Sequence, residues 1–145
     1  MKAQVVYHSK TGHSRKLAQK AAEALGTEAV DIRNWRKQDG SALLFIVSGI
    51  YGGRSDRPLL DFAASLKGSG VKAAGMITSC AGGKDEPLDL RAALEKAGIT
   101  ILKERFVCPG SFLIFKRGRP NDADRAAAAS YAVRMMNQFQ DNKAS

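Results

Sequence analysis

The sequence lacks the features that mark secreted, metal-binding or membrane-spanning proteins. Its two cysteines, Cys80 and Cys108, are far apart and form no CxxC pair, so neither a disulfide framework nor a metal site is expected. No secretory leader is recognisable, and the longest apolar run, residues 42–51, is too short to span a bilayer. These absences favour a cytoplasmic protein with reduced thiols, and they leave peripheral contact with a membrane surface open.

Acidic residues are also scarce relative to basic ones. The chain has 23 lysines and arginines against 14 aspartates and glutamates, which gives a net charge of +9. Such a balance favours an acidic partner, whether a protein, an anionic cofactor or a membrane surface. The basic residues are scattered rather than gathered in one tract, which argues against nucleic-acid binding and is equally typical of a solvated surface.

Apolar segments alternate with amphipathic ones along the 145 residues, a length that suits one domain covering residues 1–145. The pattern predicts strands at residues 3–7, 27–32, 42–48, 71–78 and 99–107, and helices at 14–25, 59–66, 87–97 and 122–139. Gly26 and Gly98 are expected to end two of the helices, and the polar residues 33–41 form no full helix. The alternation predicts an α/β fold, a parallel sheet between two helical layers. Ligands of such sheets bind beyond the carboxyl ends of the strands.

The segment HSKTGHS, residues 8–14, joins the first strand to the first helix. It offers the hydroxyls of Ser9, Thr11 and Ser14, and Gly12 lets the backbone approach a ligand closely. Free N–H groups and the dipole at a helix start suit a phosphate. Taken alone, the segment fits a capped helix start equally well. Neither a Walker motif nor GxGxxG is present, which disfavours ATP and dinucleotides.

Two glycine-rich segments follow the third and fourth strands. In SGIYGG, residues 48–53, Ile50 and Tyr51 suit stacking on a flat ring, although Tyr51 also fits an ordinary turn as part of the core. In TSCAGG, residues 78–83, small side chains let a planar ligand lie against the main chain. Cys80 is interpreted as a packing thiol rather than a nucleophile, because no triad partner is evident.

Together the three segments indicate a ligand with a terminal phosphate and a flat heterocycle, as FMN has. No catalytic residue is predicted: His8 and His13 are conceivable proton relays, but a packed and an exposed role respectively are favoured. Trp35, in the polar stretch, either covers the ligand or anchors its loop to the sheet, and anchoring is favoured. The predicted cofactor-binding residues are Ser9, Lys10, Thr11, Gly12, His13, Ser14, Ser48, Gly49, Ile50, Tyr51, Gly52, Gly53, Ser79, Cys80, Ala81, Gly82 and Gly83.

The chain resembles the short-chain flavodoxin family over nearly its whole length. Residues 9–14 resemble the phosphate loop [ST]-x-T-G-x-[ST], and residues 48–51 and 78–83 resemble the two flavin loops. The resemblance implies a three-layer flavodoxin-like sandwich with a five-stranded parallel sheet of order 2-1-3-4-5. It also implies one noncovalent FMN that cycles one or two electrons.

The resemblance leaves three functions open. The first, which is favoured, is an electron-transfer protein with redox protein partners, acidic ones included. The second is an FMN-dependent oxidoreductase, such as an NAD(P)H:quinone reductase or a protoporphyrinogen-oxidase-like enzyme, and the third is a flavin-free binding module. Many flavodoxins carry carboxylates around the flavin, whereas Arg54, Arg57 and Lys84 lie in or just after the loops here. We therefore expect a less negative low potential than in an acidic flavodoxin.

Overall fold

Parallel strands and helices alternate along the chain, as the sequence pattern predicts. The computed structural model describes residues 2–8, 13–37, 41–50, 55–80, 87–109 and 121–144. The strands are β1 (Lys2–Tyr7), β2 (Ala29–Asp31), β3 (Ser41–Ile50), β4 (Ala73–Cys80), β5 (Thr100–Ile101) and β6 (Phe106–Pro109). The helices are α1 (His13–Ala24), α2 (Arg57–Ser65), α3 (Leu88–Lys96) and α4 (Asp122–Ala144). Among the described residues between β2 and β3, the only helical structure is a single 3-10 turn, Ile32–Asn34.

The sheet has the order β2-β1-β3-β4-β5, with β6 also paired to β4. Every described strand pair is parallel. This arrangement confirms the predicted α/β fold and its order 2-1-3-4-5. β5 and β6 pair with opposite ends of β4 and together fill the fifth position.

The prediction of one continuous fifth strand over residues 99–107 is wrong, because the strand is interrupted between Ile101 and Phe106. Three consecutive charged residues occupy the interruption, and they are unsuited to the interior of a sheet. The Tyr131 hydroxyl, from α4, donates a 2.5 Å hydrogen bond to the Glu104 carbonyl, and Arg134 forms an ion pair with the Glu104 carboxylate. The N–H of Leu102 still donates to the Ala74 carbonyl of β4 at 3.0 Å, and the charged residues that follow are held against α4.

Hydrophobic cores lie on both faces of the sheet. On one face, α1 and α4 pack on side chains that include Val5, Phe45 and Ile77. On the other face, α2 and α3 pack on the alternate side chains of the same strands, among them Val6 and Ile46. Successive residues of a strand point to opposite faces, so strands buried on both sides must be continuously apolar, as residues 43–47 are.

Glycines end two helices as predicted. Gly26 and Gly98, which follow α1 and α3, have φ values of 72° and 85°. These left-handed conformations strain other residues and allow the chain to turn back towards the sheet. Among the described residues, no helix is both long and apolar enough to cross a membrane.

Candidate functional site

The strands that precede the three predicted loops end side by side. The last residue of β1, Tyr7, is in register with Val47, and the ends of β3 and β4 coincide, because Ile50 is in register with Cys80. The backbone N–H of His8 extends this alignment by donating to the Val47 carbonyl at 3.0 Å. We call the ends of β1, β3 and β4, at Tyr7, Ile50 and Cys80, the carboxyl edge.

Several residues predicted to lie in loops are the last residues of strands. Ser48, Gly49 and Ile50 belong to β3, and they pair with Thr78, Ser79 and Cys80 of β4. β3 therefore extends beyond its predicted end at residue 48, because its partner β4 continues equally far. The other predicted binding residues lie outside the described part of the chain, and these are Ser9, Lys10, Thr11, Gly12, Tyr51, Gly52, Gly53, Ala81, Gly82 and Gly83.

Helix α1 begins at the carboxyl edge with a turn that contains no acidic residue. Its first residues are His13 and Ser14, and the Ser14 side chain is only 2% exposed. Arg15 and Lys16 follow and are exposed. Positive side chains at a helix N-terminus oppose the helix dipole, whereas an anion there interacts favourably with both. The first turn of α1 therefore supplies no negative side chain to interact with the helix dipole.

Ser48 contributes a buried polar atom at the same edge. Its side chain is 1% exposed, and its hydroxyl has no hydrogen-bond partner among the described residues. A buried hydroxyl without a partner costs about 1–3 kcal/mol. A hydrogen-bonding ligand or an ordered water at the carboxyl edge would offset that cost.

His8 pairs with a carboxylate across the carboxyl edge. Its Nε2 lies 2.9 Å from Oδ2 of Asp56, and the two side chains are 20% and 17% exposed. Asp56 occupies the N-cap position of α2 but makes no side-chain capping hydrogen bond there. The sequence favours a packed role for His8, and the structure shows that Asp56 is its specific partner.

A second carboxylate contacts the residue next to Asp56. Asp89, in the first turn of α3, accepts the backbone N–H of Ser55 at 2.8 Å with one oxygen and that of Leu90 at 2.8 Å with the other. Burial raises the pKa of Asp89, but the hydrogen bonds from Ser55 and Leu90 outweigh burial and hold the pKa below its ordinary value. Asp89 is therefore ionised at neutral pH.

Asp31 and Arg33 form a local pair where β2 ends. The guanidinium of Arg33 donates to both carboxylate oxygens of Asp31 at 3.0 Å, and this contact is the main reason why the pKa of Asp31 is lowered. The backbone N–H of Arg33 also donates to Asp31 at 2.9 Å, which caps the 3-10 turn. The pair thus stabilises the turn that follows β2.

Trp35 anchors the segment between β2 and β3. Its ring meets the Phe62 ring edge-on at a centroid distance of 5.6 Å, within the core between the sheet and α2. The neighbouring backbone is held to β1, since the Gln4 amide donates to the Arg36 carbonyl at 2.8 Å. These contacts support anchoring rather than coverage of a ligand.

Sequence reasoning missed the roles of Asp56 and Asp89. Both residues lie at helix starts, where an aspartate is ordinarily interpreted as a capping residue. His8 and Asp56 are separated by 48 positions, and Ser55 and Asp89 by 34. No local pattern marks either contact, so only the arrangement of the strands brings these residues together.

Comparisons with known proteins agree with this geometry at the level of the fold. No protein-family model and no curated protein matches the chain. Among solved structures, a flavodoxin from the domain Archaea is 14% identical with a TM-score of 0.76, covering 97% of this chain and 99% of that one. A flavodoxin from Streptococcus pneumonia TIGR4 is 20% identical with a TM-score of 0.68, covering 95% and 99%. Flavodoxin 2 from Bacillus cereus is 13% identical with a TM-score of 0.70, covering 96% and 100%.

These likenesses extend over nearly the full length of each chain. Together with the sheet order and the two helical layers, they confirm the predicted resemblance in its architecture. The chain has the flavodoxin fold.

Proposed function

We propose that this protein binds FMN noncovalently at the carboxyl edge and acts as an electron carrier. The observation that carries the proposal is the convergence of β1, β3 and β4 there, since each strand leads into one of the three predicted FMN-binding segments. The start of α1, with its basic and acid-free first turn, suits the phosphate. The glycine-rich segments after β3 and β4 suit the flat ring.

The residues would divide the binding between them. Residues 9–14 would hold the phosphate through hydroxyl and main-chain N–H groups. Ile50 and Tyr51 would flank the ring, and the main chain of residues 80–83 would hydrogen-bond its polar edge. When bound, FMN supplies the redox chemistry, and the protein supplies orientation and charge.

The charge of the protein bears on its partners. Arg15, Lys16 and Arg57 are exposed near the start of α1 and α2. Exposed cations at this edge favour redox partners with acidic surfaces, because complementary charge raises association rates. The carrier would act in the cytoplasm, as its few cysteines predict.

Titration of the purified protein with FMN tests the proposal. We expect flavin fluorescence to be quenched, the visible flavin spectrum to shift, and FMN to bind at least tenfold more tightly than riboflavin because of its phosphate. A protein that leaves the fluorescence and spectrum of FMN unchanged would instead be a flavin-free module, and the proposal would be wrong.

A steady-state assay separates the carrier from an enzyme. A carrier should not turn over when NAD(P)H and a soluble quinone are supplied without a protein partner. Sustained turnover with the FMN-loaded protein would assign it instead to the FMN-dependent oxidoreductases, the quinone-reductase or protoporphyrinogen-oxidase type included.

A further inference from the structure

Four residues beside the predicted FMN-binding segments are linked in two pairs. His8 immediately precedes residues 9–12, Ser55 and Asp56 immediately follow residues 51–54, and Asp89 lies in the first turn after residues 81–86. The His8 side chain contacts Asp56 at 2.9 Å, and the Asp89 carboxylate accepts the Ser55 N–H at 2.8 Å. Two adjacent residues thus connect the bases of all three segments.

Asp56 is at the N-cap position of α2, but its carboxylate does not form the usual capping hydrogen bond. An aspartate at an N-cap ordinarily accepts a first-turn N–H and contributes about 1 kcal/mol to the helix. The carboxylate of Asp56 makes no such hydrogen bond and is directed to His8, on β1. The contact links β1 to the residues that enter α2.

Asp89 connects the other side of the same segment. Its two oxygens accept the N–H groups of Ser55 and Leu90, so one carboxylate both completes the first turn of α3 and holds the chain that enters α2. A hydrogen bond from a backbone N–H to an ionised carboxylate is stronger than one between neutral groups. Ser55 and Asp56 are consequently held from both sides.

We propose that His8, Ser55, Asp56 and Asp89 form a loop-base clamp that sets the relative positions of the three cofactor-binding segments before FMN binds. This inference rests on the proposed function. Ordering a backbone residue costs about 1–2 kcal/mol, so fixing the flanking residues His8, Ser55, Asp56 and Asp89 in advance reduces the entropy lost on binding. The clamp residues are positioning residues: they act through the segments that they hold.

The test compares FMN affinities of the full chain and its variants by fluorescence quenching, under conditions where circular dichroism shows every variant folded. We expect Asp56→Ala to weaken FMN binding about tenfold or more. Asp56→Asn retains an oxygen acceptor for His8 and should restore at least half of that loss on a logarithmic scale. Asp61→Asn is the matched control, because Asp61 lies on the same helix and pairs with Arg57 at 3.0 Å, but its side chain is 64% exposed.

A double-variant comparison separates positioning from general destabilisation. If His8 and Asp56 act as a pair, His8→Ala with Asp56→Ala should weaken FMN binding no more than Asp56→Ala alone. Additive losses, or Asp56→Asn and Asp56→Ala with equal affinities, would overturn the clamp. Should Asp56→Ala fail to fold, Asp89→Asn tests the other pair: a loss of about threefold or more is expected, and an unchanged affinity overturns the proposal.

The experiment also distinguishes the two levels of inference. If the unmodified protein binds FMN and all clamp variants bind it within twofold as tightly, the clamp is wrong and the proposed function stands. If the unmodified protein does not quench FMN, both the proposed function and the clamp are wrong.

Discussion

Helices α1 and α4 pack side by side on one face of the sheet, but the charged residues in their first turns differ. At α4, Asn121 and Asp124 exchange hydrogen bonds: the N–H of each donates to the side chain of the other at 2.9 Å. Two acidic residues, Asp122 and Asp124, also lie in its first turn. α1 has no acidic residue in its first turn and carries Arg15 and Lys16 there.

The difference lies in what interacts with the positive end of each helix dipole. At the α4 terminus, the helix's own side chains accept the first-turn N–H bonds and supply negative charge. An external anion would therefore be stabilised little there. The α1 terminus accumulates positive charge next to the carboxyl edge, which favours an external anion. The comparison predicts that equivalent changes at the two termini affect different properties.

The largest expected effect comes from removing the hydroxyls at the α1 start. Thr11→Val combined with Ser14→Ala should weaken FMN binding about hundredfold or more, since each hydrogen bond to a charged phosphate contributes about 1.5–3 kcal/mol. Riboflavin binding should change less than threefold, because riboflavin lacks the phosphate. Parallel fluorescence titrations with both flavins measure the difference. An equal loss for both would reject the phosphate assignment.

Reversing one charge at each terminus should have smaller effects, and stability should change in opposite directions in the two variants. Arg15→Glu should weaken FMN binding about tenfold through repulsion of the phosphate, yet stabilise the apoprotein by about 0.3–1 kcal/mol through the helix dipole. Asp122→Lys, at α4, should lower stability by a similar amount and leave FMN affinity unchanged. Urea denaturation and FMN titration at low salt measure both properties. A comparable loss of FMN affinity in the two variants would contradict the distinction.

The smallest effect is expected from breaking the reciprocal bonds at α4. Asn121→Ala should lower the free energy of unfolding by about 1 kcal/mol, the usual cost of losing an N-cap side chain. FMN affinity should stay within twofold of that of the unmodified protein, because no predicted FMN-binding residue lies at the start of α4. Urea denaturation followed by circular dichroism measures the first value and fluorescence quenching the second. Unchanged stability would show that the capping bonds contribute nothing.

Most of the fold was predictable because its strands and helices have local signals. The apolar run of β3 and the glycines that follow α1 and α3 predict elements within a residue or two of where the structure has them. The interruption before β6 was not predicted, since the hydrogen bond from Tyr131 to the Glu104 carbonyl joins residues 27 positions apart. A local pattern does not indicate which segment will leave a sheet edge to pack against a distant helix.

The candidate site likewise has features that the sequence predicts and features that it does not. Its hydroxyl-rich and glycine-rich segments, its basic charge and its order along the chain were determined by the sequence alone, because these depend on residue type and spacing. The resemblance predicted that β1, β3 and β4 are neighbours, but only the tertiary structure gives their register and places His8 against Asp56 and Ser55 against Asp89. The physical reason is that parallel strands adjacent in space are separated in sequence by whole helices. Contacts between their ends are therefore decided by sheet register and helix packing.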